Sequence, residues 1–212
     1  MKNRKKLITL SFTAFTAFTA LAVSLPAVAH HPMGGATPIT LLEGLLSGFG
    51  HPIIGFDHLL FIFAVGIACY FFGQRITTIA AFLTGTFGGA LLHLLAPGVS
   101  YADAWVAASL ILLGVLFLRG SDFLKNKGAI LLFTLSGVAH GYAYGETIVG
   151  AEATPVWAYL SGFTLVQFAI AMCGFAVTRY ATAKKPAFEF LKATGGVLAV
   201  TGAGFLMFAL AP

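Results

Sequence analysis

Six apolar stretches, each about the length needed to cross a lipid bilayer, constrain this chain more than any other feature. They run Pro52–Phe72, Ile76–Leu95, Ala102–Leu118, Ala129–Tyr144, Val156–Thr178 and Phe188–Leu210. A transmembrane helix takes about 20 predominantly apolar residues to span a hydrocarbon core of roughly 30 Å. Backbone polar groups find no partner in lipid, so such stretches fold as helices. Composition agrees: 58% of the residues are hydrophobic and 9% are charged, against about 25% charged in soluble domains. The expected fold is all-α, a polytopic membrane protein built as a six-helix transmembrane bundle embedded in lipid.

The N-terminus carries a different signal. Lys2, Arg4, Lys5 and Lys6 precede an apolar stretch, Leu7 to Leu25, which ends at Ala27-Val28-Ala29. A basic start, an apolar run and an A-x-A site describe a cleavable secretory signal peptide. Residues 1–29 are therefore read as the signal peptide and 30–212 as a six-span transmembrane domain. Cleavage would make His30 the mature N-terminus, outside the cytoplasm. The loops independently give the same topology. Segments 73–75, 119–128 and 179–187 carry Arg75, Arg119, Lys125, Lys127, Arg179, Lys184 and Lys185, while 96–101 and 145–155 carry no Lys or Arg. That is the positive-inside pattern, with both mature termini outside.

The formal charge of +5 does not point to nucleic acid. Four of the 12 basic residues lie in the first six positions, leaving eight basic and seven acidic residues for the rest. The chain has no basic stripe for phosphate and no Gly-rich nucleotide loop, so neither nucleic acid nor nucleotide is an expected partner. Cys69 and Cys173 lie inside apolar runs and read as small buried hydrophobes rather than a disulfide.

Residues 38–50 need their own element. Joined to the first span they would make a 35-residue helix, roughly 50 Å long at 1.5 Å per residue. Gly50-His51-Pro52 supplies a break, since Pro52 suits the first turn of a new helix. The segment puts Leu41, Leu42, Leu45, Leu46 and Phe49 on one face and Glu43, Ser47 and Gly50 on the other. It is expected to be a short interfacial or re-entrant helix before the first span. Small-residue stripes at Gly85 and Gly89, Gly141 and Gly145, and Gly195, Ala199 and Ala203 predict close helix packing.

The chemistry lies in the few ionisable residues inside or beside the spans, which are costly in lipid and mark sites or pathways. His51, Asp57 and His58 begin the first span, His93 nears the end of the second, and His140 and Glu146 lie near the end of the fourth. His30 and His31 open the mature chain. In the expected topology all of these fall on the outer side. Seven residues of helix place His51 and His58 on one face, about 10.5 Å apart in rise. Asp57 is placed as a ligand or as the acceptor that fixes a histidine tautomer. Imidazole and carboxylate without thiolate suit a borderline divalent cation: Ni²⁺, Co²⁺, Zn²⁺ or Cu²⁺. The amine and imidazole of His30, with His31 beside it, would form an N-terminal chelate.

The pattern His51-x5-Asp57-His58, within HPIIGFDHLLFIFAVG, resembles the HupE/UreJ family of nickel/cobalt permeases. The signal peptide, the six spans and the histidine of the fourth span extend the resemblance over essentially the whole chain. The pattern is also similar to the shorter H-x4-D-H of other nickel/cobalt transporters. A second family motif, H-G-x-A-H-G-x-E, reads here His140-Gly-Tyr-Ala-Tyr144-Gly-Glu146: the second His is Tyr144 and the acid comes one residue early. The resemblance implies a secondary transporter in the bacterial inner membrane. It would take up Ni²⁺ or Co²⁺ for hydrogenase, urease or cobalamin, with the metal as substrate and no cofactor. Its metal-handling residues would be drawn from His30, His31, His51, Asp57, His58, His93, His140 and Glu146.

Two other classes fit the composition. A membrane-embedded metal-dependent hydrolase would need an open metal position and a general base, yet the chain has no H-E-x-x-H and no G-x-S-x-G. An accessory membrane subunit would use its histidines only to cap helices. An inverted repeat does not explain the six-residue spacing shared by His51–Asp57 and His140–Glu146, because both pairs fall on one side.

Overall fold

The computed structural model describes residues 36–72, 75–120, 125, 127–183 and 187–211. The described residues form seven α-helices and no strand. These are α1 (Leu41–Ile54), α2 (Phe56–Phe72), α3 (Arg75–Leu95), α4 (Ala102–Arg119), α5 (Gly128–Gly145), α6 (Ala153–Thr182) and α7 (Ala187–Ala209), with a 3₁₀ turn at Glu146–Ile148 between α5 and α6. The expected signal peptide, with His30 and His31, lies outside the described residues.

The helices pack in three layers of close pairs, and small residues set their directions. Gly85 meets Thr134, Gly89 meets Val138, Gly141 meets Thr86 and Gly145 meets Ala90, so α3 and α5 run parallel along their whole length. Gly114 meets Gly195 and Ala199, while Gly202 meets Ala107, so α4 and α7 run antiparallel. Gly44 faces Pro155, Gly48 faces Tyr159, and Gly66 and Phe63 face Ala171 and Gly174. Thr182 bonds the Tyr70 hydroxyl at 3.0 Å. Both α1 and α2 therefore follow α6 in register. At one end of the bundle α3 and α5 finish and α1, α4 and α6 begin; this is called the site end below. The α7 contact uses Gly195, Ala199 and Gly202, whereas Ala203 is exposed.

The break between the first two helices is not where the sequence placed it. Helix α1 continues through Gly50-His51-Pro52 and ends at Gly55, where α2 departs at 80°. Pro52 is tolerated inside α1 because only two residues follow it, so the missing N–H and the ring disturb a single final turn. The turn falls at Gly55 because a Cβ there would lie 2.7 Å from the His58 ring. A separate helix ahead of α2 is present as expected, and the two do not join into one rod. Helix α6, 30 residues long and about 45 Å at 1.5 Å per residue, contacts both. A capping box opens α1: Thr40 accepts from the Glu43 N–H at 3.1 Å, and Glu43 accepts from the Thr40 N–H at 3.1 Å.

The segment packs its small and polar face on protein and leaves its leucine face exposed. Gly44, Ser47, Gly48, His51 and Pro52 are buried against α6, while Leu41, Leu42 and Leu46 are exposed. The same holds for the whole molecule. Leu112, Leu131, Leu135, Leu165, Phe168 and Met207 face outward, while Asp57, His58, His140 and Gln167 are buried. Apolar outside and polar within is the arrangement demanded by lipid. Trp105 and Trp157 are exposed near the starts of α4 and α6, and Tyr180 near the end of α6, where headgroup-level aromatic belts form. Helices α3, α4, α6 and α7 are each long and apolar enough to cross a bilayer, and α1 with α2 qualifies as a bent pair. The chain is a multi-pass membrane protein.

Candidate metal site

Three histidines from three helices meet near the site end, between two hydrophobic clusters. On the far side lie Phe61, Phe82, Leu110 and Phe133. On the site-end side lie Tyr144, Ile148, Tyr159 and Phe163. The bend at Gly55 brings His51 of α1 and His58 of α2 to a ring-centroid distance of 6.1 Å. His51 and His58 therefore do not share one helix face at a rise of 10.5 Å, as a continuous helix would have it. His140 of α5 stands 4.9 Å from His58, centroid to centroid. Tyr144, one turn beyond His140, packs against both other imidazoles, at 4.8 Å from His51 and 4.3 Å from His58.

Hydrogen-bond commitments fix where the ring protons lie. The Ser109 hydroxyl donates to the Val106 carbonyl at 2.7 Å. It can then only accept from His140 Nε2, 3.0 Å away, so neutral His140 carries its proton on Nε2. Its Nδ1 must accept from His58 Nδ1 at 2.9 Å. His58 is thereby held as the Nδ1–H tautomer, with the lone pair on Nε2. A second chain acts on His51. The Tyr159 hydroxyl donates to the Tyr144 carbonyl at 3.0 Å, so it accepts from His51 Nδ1 at 2.9 Å. The Thr147 hydroxyl lies 3.0 Å from the same nitrogen. His51 too is an Nδ1–H tautomer with its lone pair on Nε2. Partners behind a histidine that fix its tautomer and orientation are what metal-binding imidazoles need.

The other expected site residues are placed differently. Asp57 is buried beside His58, and its Oδ1 accepts from the His58 backbone N–H at 2.8 Å. His93 donates from Nδ1 to the Tyr142 carbonyl at 2.7 Å and stacks on Tyr142, not on the cluster. Glu146 is exposed at the start of the 3₁₀ turn. Among the described residues no group of three or more His, Cys, Asp and Glu stands in metal-holding geometry. Two features of the cluster bear on this: the Tyr144 ring packs against both His51 and His58, and one Asp57 oxygen is engaged by the His58 backbone N–H. Ser109, Thr147 and Tyr159, which orient the imidazoles, were not singled out in the sequence. A lone hydroxyl in an apolar span resembles any packing residue, and only its polarity hints at a role.

Fold and site define a polytopic helical membrane protein with buried, oriented imidazoles at one end of the bundle. The family described as HupE / UreJ protein matches residues 18–205, and the chain belongs to that family. A curated relative, "Protein HupE" of Rhizobium leguminosarum bv. viciae, is 26% identical over 195 residues, covering 89% of this chain and 95% of that protein. No solved structure matches the chain.

Proposed function

We propose that this protein is a secondary transporter for uptake of divalent transition-metal ions, Ni²⁺ or Co²⁺ or both. The metal is its substrate and no cofactor is involved. The observation that carries this reading is the meeting of His51, His58 and His140 from three helices, with Asp57 buried beside them, inside an apolar bundle. Asp57 supplies the anionic ligand, and His140 acts behind His58 rather than as the first contact. Borderline cations such as Ni²⁺ and Co²⁺ favour imidazole nitrogen with a carboxylate. Family membership supports a transporter over an enzyme.

In this proposal the chain crosses the bacterial inner membrane six times, the α1–α2 pair counting as one bent span. Helix α5, less apolar through His140, Tyr142 and Tyr144, counts as another because it follows α3 throughout. The site end faces outward, as the loop charges predict. His30, His31 and Glu146 are then the first groups an arriving cation meets, with His93 at the rim.

Capture requires Tyr144 to withdraw from between the imidazoles and Asp57 to rotate from the His58 N–H. The test is uptake of labelled Ni²⁺ and Co²⁺ into proteoliposomes holding the purified full chain. Wild-type protein should accumulate the ion, and His58→Ala and Asp57→Ala should not. Normal transport by both variants would displace the site.

A further inference from the structure

We infer that Gln167 is a second ion station, where the cation exchanges imidazole nitrogen for oxygen; this rests on the transport reading above. Gln167 is fully buried on α6, and neither atom of its amide has a hydrogen-bond partner among the described residues. Buried amides are nearly always bonded, and an unbonded one destabilises the fold it sits in. A leucine would fill the same volume without that penalty. An amide retained here needs a partner that arrives from outside.

Its position says which partner. The α6 face that carries Gln167 contacts α1 through Tyr159 and Phe163, at Gly48, and contacts α2 through Ala171, at Gly66. Gln167 lies between those contacts, so it faces the stretch that contains the Gly55 break. It is two helical turns, about 12 Å, past Tyr159, the residue that holds His51. Beyond it the buried face is apolar at Ala171 and Gly174 as far as Thr178. A second, independent observation points to the same place. The Tyr144 hydroxyl is also buried and without a partner among the described residues. Tyr144 packs at 5.6 Å on Phe163, one turn before Gln167.

The break exposes helix ends: the carbonyl end of α1 and the N–H end of α2 meet at Gly55. Broken helices place such ends beside transported ions. Conduction also needs sites weak enough to leave. Neutral oxygens hold a borderline cation less firmly than imidazoles do, so Gln167, with the Tyr144 hydroxyl, is the step by which a tightly captured ion is let go.

The experiment compares wild type, Gln167→Leu, Gln167→Glu and His58→Ala in proteoliposomes under an imposed inside-negative potassium-diffusion potential, with labelled Ni²⁺ as probe. Melting temperature is measured in detergent. Gln167→Leu should lower the maximal rate at least tenfold, keep the half-saturation concentration within twofold, and melt no lower than wild type. Gln167→Glu should lower both the rate and the half-saturation concentration, since an anionic oxygen holds the ion. Wild-type rates in both Gln167 variants, with His58→Ala inactive, would overturn this inference alone. So would a Gln167→Leu protein that loses rate and melting temperature together, which marks a packing role. Normal uptake by His58→Ala would instead overturn the transport site beneath it.

Discussion

His58 and His140 meet Nδ1 to Nδ1 at 2.9 Å, and between two neutral imidazoles only one of the facing nitrogens can carry the proton. Ser109 decides which. Its hydroxyl proton is committed to the Val106 carbonyl, so His140 must donate from Nε2 and accept at Nδ1. The lone pair that this leaves on His58 Nε2 is set by a serine on a different helix.

Ser109→Ala should therefore weaken metal handling without removing a ligand. The Ala variant leaves His140 free to adopt either tautomer, and His58 follows it. Loss of a partner behind a metal-binding histidine costs about 10–100-fold in affinity. The expected result is a half-saturation concentration for Ni²⁺ raised about tenfold or more. Ser109→Thr, which keeps a hydroxyl at the same position, should restore most of it. Equal half-saturation for Ala and wild type would remove the relay.

Tyr159→Phe tests the second relay in the same way. The hydroxyl bonds both His51 Nδ1 and the Tyr144 carbonyl, so the variant releases His51 and also frees Tyr144 backbone. A raised half-saturation concentration with intact folding by circular dichroism is expected. A destabilisation of about 1–3 kcal/mol accompanies the loss of a buried hydrogen-bond partner. Stability unchanged together with unchanged uptake would contradict the proton assignment.

Much of the architecture was legible in the sequence because apolar length is a direct physical requirement of lipid. The helices from α3 to α7 begin and end close to the runs read from residue type alone, although α6 extends at both ends beyond Val156–Thr178. The first break was misplaced because Pro52 is the stronger punctuator in sequence, yet the close approach of the His58 ring selects Gly55. His51, Asp57, His58 and His140 stood out as ionisable groups in apolar runs. Their partners did not, since Ser109 and Tyr159 acquire meaning only once α4 and α6 are docked. Gln167 did leave a signal: it is the only Asn or Gln within the six spans.

Acidification should slow uptake. Protonation of an imidazole places a hydrogen on the nitrogen whose lone pair must hold the metal. Ligation is thus present at neutral pH and lost as the outer medium is acidified. Initial rates measured at constant potential over a falling outer pH should decrease. A rate that rose on acidification would contradict imidazole capture.

The N-terminal histidines make a separate prediction. Replacing His30 and His31 together by Ala should raise the half-saturation concentration and leave the maximal rate nearly unchanged, because a capture arm acts on encounter rather than on passage. Processing after Ala29 is to be verified by mass spectrometry of the mature chain. An unchanged half-saturation concentration would remove the arm.

Transport should follow the membrane potential and need no nucleotide. The chain has no phosphate-binding loop, and the basic loops, 73–75, 119–128 and 179–187, are too short for an ATPase domain. The potential contributes about 2.3 kcal/mol per charge per 100 mV. A divalent cation moving inward therefore gains about 4.6 kcal/mol at that voltage, enough for ~10³-fold accumulation. Past His58 and His140 the buried core is Phe61, Ile62, Val65, Leu113 and Phe117, with no further buried carboxylate or imidazole to relay a proton among the described residues. Uniport down the electric field then suffices. The measurement is Ni²⁺ and Co²⁺ flux into proteoliposomes with the potassium-diffusion potential and the proton gradient varied separately. Flux should scale with the potential and ignore the proton gradient. The reverse dependence would replace uniport by proton coupling and leave the metal site in place.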